Sequence, residues 1–340
     1  MLLREQVPLA PLTTFGIGGP ARWLAEADSE DSLVEAVSFA RERNLPLFVL
    51  GGGSNVLAAD EGYAGLVLRI ALCGIRKDGN RFLVGAGEDW DAFVSHAVAH
   101  GFGGVECLAG IPGTVGGTPV QNVGAYGQEV SDTIVSVRVL DRKSLAFSEL
   151  PAQACGFSYR RSIFNSSHQH RYIVTRVEYR LRSGSCPVIS YPDLKRYFQD
   201  RSRPPGLEEA AAAVREIRHG KGMLLVPGEA DCRSAGSFFK NPVVAESRYE
   251  EVCAVAGYAA PRFTAARGFV KIPAAWLLEE SGLHRGYVMG NAGISSRHTL
   301  ALINRGGATA KDILALRDWI VAAVEKKFGI RLHPEPVWLG

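Results

Sequence analysis

The feature that most restricts this chain is AGIPGTVGGTPVQNVGAYG, residues 109 to 127. Six glycines and two prolines in that span rule out a continuous helix or a central strand, because glycine costs backbone entropy in either and proline removes a donor. Thr114, Thr118, Gln121 and Asn122 are interleaved with the glycines, and no residue of the stretch is charged. A loop this long inside a compact domain is either disordered or built for a ligand, and its density of amide and hydroxyl groups favours the second. A shorter run, GGGSN at residues 51 to 55, follows the apolar LFVL. Successive amides in glycine turns form concave anion sites, and glycine lets a backbone approach a ligand without a Cβ in the way. Two such loops suit a dinucleotide with a pyrophosphate. Other nucleotide signatures fail: G-x-x-x-x-G-K-[ST] is missing, GAGEDW lacks the third glycine of the Rossmann fingerprint, and GIGGPA has the wrong spacing.

At 340 residues the chain suits two or three domains, each large enough to bury its own core. Apolar residues at 46% and charged residues at 21% are ordinary for a soluble enzyme, and no run reaches the roughly 18 apolar residues of a membrane span. The opening MLLREQVPLAPLTTFGIGG places Arg4 and Glu5 where an export signal needs an apolar core, so a cytoplasmic protein is expected. Six cysteines (73, 107, 155, 186, 232 and 253) stand far apart without Cys-x-x-Cys or zinc spacing, and read as reduced thiols. His96 and His100 are four apart in a helical stretch, but no glutamate follows His96, so no metal is expected. The net charge of +3 argues against a general nucleic-acid binder. Positive charge is nonetheless dense from Arg160 to Lys221, where most of it faces solvent and a minority can converge on an anionic small molecule.

Ser29 to Arg43 has apolar residues at helical spacing, and LFVL reads as a buried strand. GLVLRI and RFLVGAG follow as strands, and EDWDAFVSHAVAHG as a helix stopped by Gly101. Residues 134 to 141 and 172 to 181 alternate as strands, and helices return in LEEAAAAVREIRHG and SRYEEVCAVAG. Thr309 and Asp312 form a capping box for a helix with Ile313, Leu316, Ile320 and Val324 on one face. The terminal GIRLHPEPVWLG reads as an edge strand because of its prolines. In SAGSFFKNP, residues 234 to 242, Ser237 taken alone reads as a turn residue.

Together, LGGGSN, AGIPGTVGGTPVQNVGAYG, SYRRSIF, SAGSFFKNP and HPEP, in this order, resemble the UDP-N-acetylenolpyruvoylglucosamine reductase (UDP-N-acetylmuramate dehydrogenase) family of peptidoglycan synthesis, from Thr14 to Trp338. The resemblance implies an α+β chain: a vanillyl-alcohol-oxidase-type FAD-binding fold of two subdomains and a C-terminal α+β substrate domain. The implied boundaries are 1–185 for the FAD region (about 1–70 and 71–185), 186–218 for a connecting loop and helix, 219–328 for the substrate domain and 329–340 for a strand returning to the active site. NADPH is implied to reduce FAD and then to be replaced in one cleft by UDP-N-acetylglucosamine enolpyruvate. Hydride would pass to C3 of the enol ether and a proton to C2, by a monomer engaging neither nucleic acid nor membrane.

By the same resemblance Ser237 is the proton donor, and Arg160 and Glu335 are its catalytic companions. Flavin contacts fall on Gly51, Gly52, Gly53, Ser54 and Asn55, on Ile111, Pro112, Gly113, Thr114, Gly116, Gly117, Thr118, Gln121, Asn122, Gly124 and Ala125, and on Ile173 and Arg218. Substrate contacts fall on Tyr126, Tyr191, Lys221, Asn241 and His298, with Tyr191 in ISYPDL marking the form with an extra substrate-closing loop. Lys221 stands in RHGKGMLLVPGEAD, longer than the expected link, which weakens its assignment to the diphosphate. The chemistry explains the residue types. Hydride addition pushes negative charge into the substrate carboxylate, which a planar guanidinium can meet bidentately. A hydroxyl donates only to a strongly basic carbanion, so it spares the reduced flavin. Glu335 beside that charge must be protonated or orient another donor. Two other readings are a different FAD oxidoreductase of the same superfamily, which would often tether flavin through a histidine or cysteine that neither loop contains, and a non-catalytic UDP-sugar-binding module, which leaves the Ser237 motif unexplained.

Overall fold

A computed structural model describes residues 1–340. The chain divides into two compact units, one of residues 1–7, 21–53 and 63–220, the other of residues 8–20, 54–62 and 221–340.

The first unit holds two sheets. One has the order Leu2–Pro8, Pro20–Ala27, Tyr63–Ile70, Leu47–Leu50, with Tyr63–Ile70 parallel to both of its neighbours. Parallel pairing requires a crossover, and the helix Glu30–Glu42 supplies it, burying Leu33, Val37 and Ala40. Ser29 caps it: its hydroxyl accepts the Ser32 N–H, and the Ser32 hydroxyl accepts the Ser29 N–H. The second sheet runs Phe147–Pro151, Ile134–Asp141, Tyr172–Arg180, Arg81–Gly85, Ile75–Asp78, antiparallel throughout. Trp90 and Phe93 of the helix Trp90–Ala99 pack on Tyr179 of this sheet with ring centroids 5.9 and 5.1 Å apart. Gly101, at φ +75°, ends that helix as its sequence indicates, and the His100 ring nitrogen closes the last turn on the His96 carbonyl. The long glycine loop is anchored to this layer by the Trp90 indole N–H, which donates to the Leu108 carbonyl at 3.0 Å.

The second unit is built on the sheet Ser234–Ser237, Ala301–Asn304, Ala292–Ile294, Val288–Met289 and a three-stranded sheet of Val243–Ala245, Phe269–Lys271 and Phe263–Thr264. The helix Ala310–Phe328 starts at the Thr309–Asp312 capping box and buries Ile313, Leu316, Ile320, Val324 and Phe328. Those five side chains contribute on the order of 10 kcal/mol of apolar transfer. The terminal strand Val337–Leu339 pairs in parallel with Val56–Ala58 in a two-stranded sheet, so it is an edge. No helix is long and apolar enough to cross a membrane.

Candidate active site

In the first unit the two glycine loops meet backbone to backbone. A Cβ on Gly51 would lie 2.8 Å from the Thr114 hydroxyl oxygen, and one on Gly52 2.8 Å from the Gly113 Cα. Gly113 is at φ +129° and Gly53 at +65°, backbone that other residues avoid. Gly116 is confined as well, since its Cβ would lie 2.6 Å from that of Ala86. The Val115, Gly116 and Gly117 N–H groups are used within the fold, on the Glu88, Ala86 and Thr114 carbonyls. The N–H groups of Gly52, Gly53, Gly113 and Thr114 donate to no backbone acceptor among the loop and turn bonds. This is a glycine-walled cradle of unused donors, which fits the pyrophosphate of a flavin dinucleotide.

Several residues expected at the flavin serve the loop itself. Thr118 is 3% exposed, donates to the Val115 carbonyl and meets the Tyr179 hydroxyl at 2.8 Å. Asn122 is 1% exposed at φ +46°; its amide donates to Glu129 Oε2 (2.8 Å) and the Ser158 carbonyl (3.2 Å) and accepts the Ser131 N–H (3.1 Å). Ile173 is buried in the sheet opposite Leu140. Ile111, Pro112 and Gln121 are half-buried along the loop.

Beyond Asn122 the loop becomes a hairpin in which Gly124–Ala125 pairs with Gln128–Glu129. Gln128 fixes it: its amide accepts the Cys107 N–H and donates to the buried Glu106, both at 2.8 Å. Tyr126 lies in the turn at φ +49° and is 7% exposed. Its ring meets Tyr191 edge-on at 5.3 Å, and its hydroxyl bonds Arg218. Burial pushes the Tyr126 phenol up to about 12, with Arg218 opposing, and burial also raises the Tyr191 phenol, to which Asp193 and Tyr159 add. Arg218 is 8% exposed, and its Nε donates to the Gly110 carbonyl at 3.0 Å. The Gly110 N–H donates to Asp91 at 2.6 Å, and Asp91 is held by a two-pronged bond from Arg215. This clamp on the loop entry was not read from the sequence, since nothing in the spacing of Asp91, Gly110 and Arg215 announces it.

Arg160 joins this group. Ser158 and Arg161 exchange both backbone hydrogen bonds, at 2.9 and 3.0 Å, so Tyr159 and Arg160 form a two-residue turn with Arg160 at φ +55°. Asn165 donates to its carbonyl at 3.1 Å, and its guanidinium donates to the Gly124 carbonyl at 2.8 Å. The neighbouring Arg161 is exposed. The fold thus brings Arg160, Tyr126, Tyr191 and Arg218 together around the hairpin.

In the second unit Ser237 ends the strand Ser234–Ser237 opposite Ala301, after a register irregularity. Gly236, at φ +69°, lies within that irregularity, one residue before the serine. Phe238 and Phe239 behind it are 2% and 1% exposed. Glu335 is brought to the same segment: its N–H donates to the Phe238 carbonyl at 2.8 Å, and the Lys240 N–H donates to the His333 carbonyl at 3.0 Å. Asn55, downstream of the first glycines, belongs here; its carbonyl accepts the Val337 N–H, and its amide reaches the Glu335 carbonyl at 3.4 Å. Ser54 and Lys221 are half-buried in this unit. Asn241 accepts the Ala274 N–H with Oδ1, capping the helix Ala274–Glu280. His298 accepts the Leu300 N–H at Nδ1, at 3.0 Å.

The chain is similar to known proteins along nearly its whole length. Residues 21–145 match the model of an FAD binding domain, and residues 227–339 that of the C-terminal domain of UDP-N-acetylenolpyruvoylglucosamine reductase. Proteins named UDP-N-acetylenolpyruvoylglucosamine reductase from Streptomyces avermitilis and Thermobifida fusca are each 44% identical to it, over 99% of this chain and 94% and 98% of their own lengths. The crystal structure of UDP-N-acetylenolpyruvylglucosamine reductase from Thermus caldophilus matches over 100% of both chains at 29% identity with a TM-score of 0.69. The expected α+β flavin-binding fold is therefore present, and the chain is an FAD-containing oxidoreductase.

Proposed function

The chain belongs to the UDP-N-acetylenolpyruvoylglucosamine reductase family, and on that footing we propose that it reduces UDP-N-acetylglucosamine enolpyruvate to UDP-N-acetylmuramate in the cytoplasm, as a monomer, with NADPH as the electron source. The glycine cradle fits FAD, with Gly52, Gly53, Gly113 and Thr114 offering N–H donors to the pyrophosphate. FAD, when bound and reduced, supplies hydride to C3 of the enol ether.

Everything else falls to side chains. Arg160 carries the reading: a guanidinium held by strained backbone, by Asn165 and by the Gly124 carbonyl is already oriented to receive a carboxylate. It stabilises the charge that moves from C2 into the substrate carboxylate, for which a preorganised donor of this kind contributes about 3 kcal/mol. Tyr126, Tyr191 and Arg218 bind the sugar nucleotide or flavin beside it; Lys221, Asn241 and His298 supply further substrate contacts. Ser237 gives its hydroxyl proton to C2. Glu335, fixed one residue beyond Ser237 by its bond to Phe238, acts as an acid or orienter for that hydroxyl, and Phe238 and Phe239 keep water away. The test is Ser237→Ala under anaerobic stopped flow. Bleaching of the flavin by NADPH should keep its rate, while reoxidation by the enolpyruvyl substrate slows by about 10²-fold or more. Equal losses in both phases would make Ser237 structural.

A further inference from the structure

A groove of about 660 Å³ opens on the first unit, and it shares no residue with the glycine loops or the Arg160 cluster. Its wall is apolar where the helix Glu30–Glu42 passes into the next strand, at Val37, Ala40, Leu45 and Leu47. Cations line it as well: Arg41, Arg142, Lys143 and Arg171.

The three guanidinium groups are held rather than left loose. The Arg41 guanidinium donates to the Lys143 carbonyl at 3.4 Å, and that of Arg142 donates to the His170 carbonyl at 2.9 Å. Carbonyl partners fix a guanidinium without neutralising it. The carboxylate adjoining the set is Asp141, which takes Arg171 Nε at 2.8 Å and the Lys143 N–H at 2.8 Å, so four cations face one compensating anion. Burial depresses the Arg142 pKa, the mark of a cation kept partly out of water. The backbone here is unusual too: Asn44 and His170 line the groove at φ +50° and +65°, and Leu145 lies nearby at +59°. Left-handed backbone is costly for a non-glycine residue, and such positions concentrate where a binding surface needs a fixed shape.

We propose that this groove is a second ligand site, for a small organic phosphate whose apolar body lies on the Val37–Leu47 wall and whose phosphate is met by Arg41, Arg142 and Lys143. The volume falls within the range of about 300–1,000 Å³ usual for small-molecule pockets. A face of merely solvated charges would have neither the apolar wall nor guanidinium groups tied to carbonyls. Two oriented guanidinium forks and a mobile ammonium are a donor set matched to phosphate oxygens.

The test uses FAD-loaded protein saturated with the enolpyruvyl substrate, titrated calorimetrically with 1-naphthyl phosphate and, separately, with inorganic phosphate. One equivalent of naphthyl phosphate should bind, more tightly than inorganic phosphate. Lys143→Glu should weaken it about tenfold, as should Arg41→Glu in an independent variant, and added salt should weaken it further. Flavin content and turnover should remain as in the parent protein, because both side chains are exposed and outside the catalytic set. Equal affinity for the two phosphates would remove the apolar wall from the proposal. Binding unchanged by both charge reversals, or no binding beyond the catalytic site, would overturn it.

Discussion

Replacing Gly52 by alanine adds one methyl group and changes nothing else, because Gly52 does not occupy left-handed backbone. The new Cβ would stand 2.8 Å from the Gly113 Cα, 3.2 Å from its carbonyl carbon and 3.5 Å from the Thr114 nitrogen. Ordinary carbon–carbon contact is about 3.5–4.0 Å, so the loops must part by roughly 0.7–1.2 Å. All three neighbours are main-chain atoms and cannot swing aside. Gly113, at φ +129°, is itself in a narrow well. Overpacking of this kind costs about 1–3 kcal/mol, and here it separates the N–H groups proposed to hold the pyrophosphate. At about 1.4 kcal/mol per factor of ten, FAD affinity should fall by between about five- and about a hundredfold. The assay is fluorescence titration of apoprotein with FAD, supported by the ratio of visible to ultraviolet absorbance of purified holoprotein. Gly220→Ala is the control: that glycine closes the helix Leu207–Gly220 with no atom within 4 Å of its added Cβ. Affinity of the Gly52 variant within twofold of the parent, or an equal loss in the control, would refute the cradle.

Asn122→Ala leaves Glu129, the Ser158 carbonyl and the Ser131 N–H without their partner, so it should lower unfolding free energy by about 1–3 kcal/mol in denaturant melts and weaken FAD retention. Arg160→Lys keeps charge but loses the fork, so single-turnover reoxidation by substrate should slow by about 10²-fold while FAD affinity stays within a factor of two. Burial pushes the Cys107 thiol to about 12, with Glu106 adding, and the Cys155 thiol to about 11, so both remain protonated and unreactive at pH 8. An aromatic disulfide reagent at that pH should titrate Cys73 and Cys186, the exposed pair, in its fast phase; rapid reaction of Cys107 or Cys155 would contradict their packing.

What the sequence discloses follows the range of the interactions involved. Helices with local caps are legible: the Thr309–Asp312 box and the Gly101 stop lie where the residues put them, because their hydrogen bonds span a few positions. Pro20–Ala27 was not read as a strand; its alanines and charges carry no clear alternation, and parallel pairing with Tyr63–Ile70 decides the matter from forty residues away. The terminal strand was legible as an edge, but its partner Val56–Ala58 was not. At the site, glycine density announced two close backbones, since little else requires so many glycines. The structural bonds of Thr118 and Asn122 were illegible: nothing in one dimension announces a threonine that bonds Tyr179 or an asparagine that bonds Ser158.

The segments GTVGGTPVQNVGAYG and SYRRSIF, separate in sequence, behave as one object. Asn122, Tyr126 and Arg160 all hold left-handed backbone without being glycine, a cost on the order of 3–6 kcal/mol together. Five hydrogen bonds oppose it: three made by the Asn122 side chain, one from Arg160 to the Gly124 carbonyl and one from Asn165 to the Arg160 carbonyl. At about 0.5–1.5 kcal/mol net each, they roughly balance the strain. Two of the five cross between the segments, Asn122 to the Ser158 carbonyl and Arg160 to the Gly124 carbonyl, and the Ser162 hydroxyl adds a third crossing bond, to the Val120 carbonyl at 2.6 Å. Neither segment would hold its shape alone. The guanidinium of Arg160 and the ring of Tyr126 therefore stay fixed relative to each other, as the proposed stabilisation of a charge that develops only on hydride transfer requires.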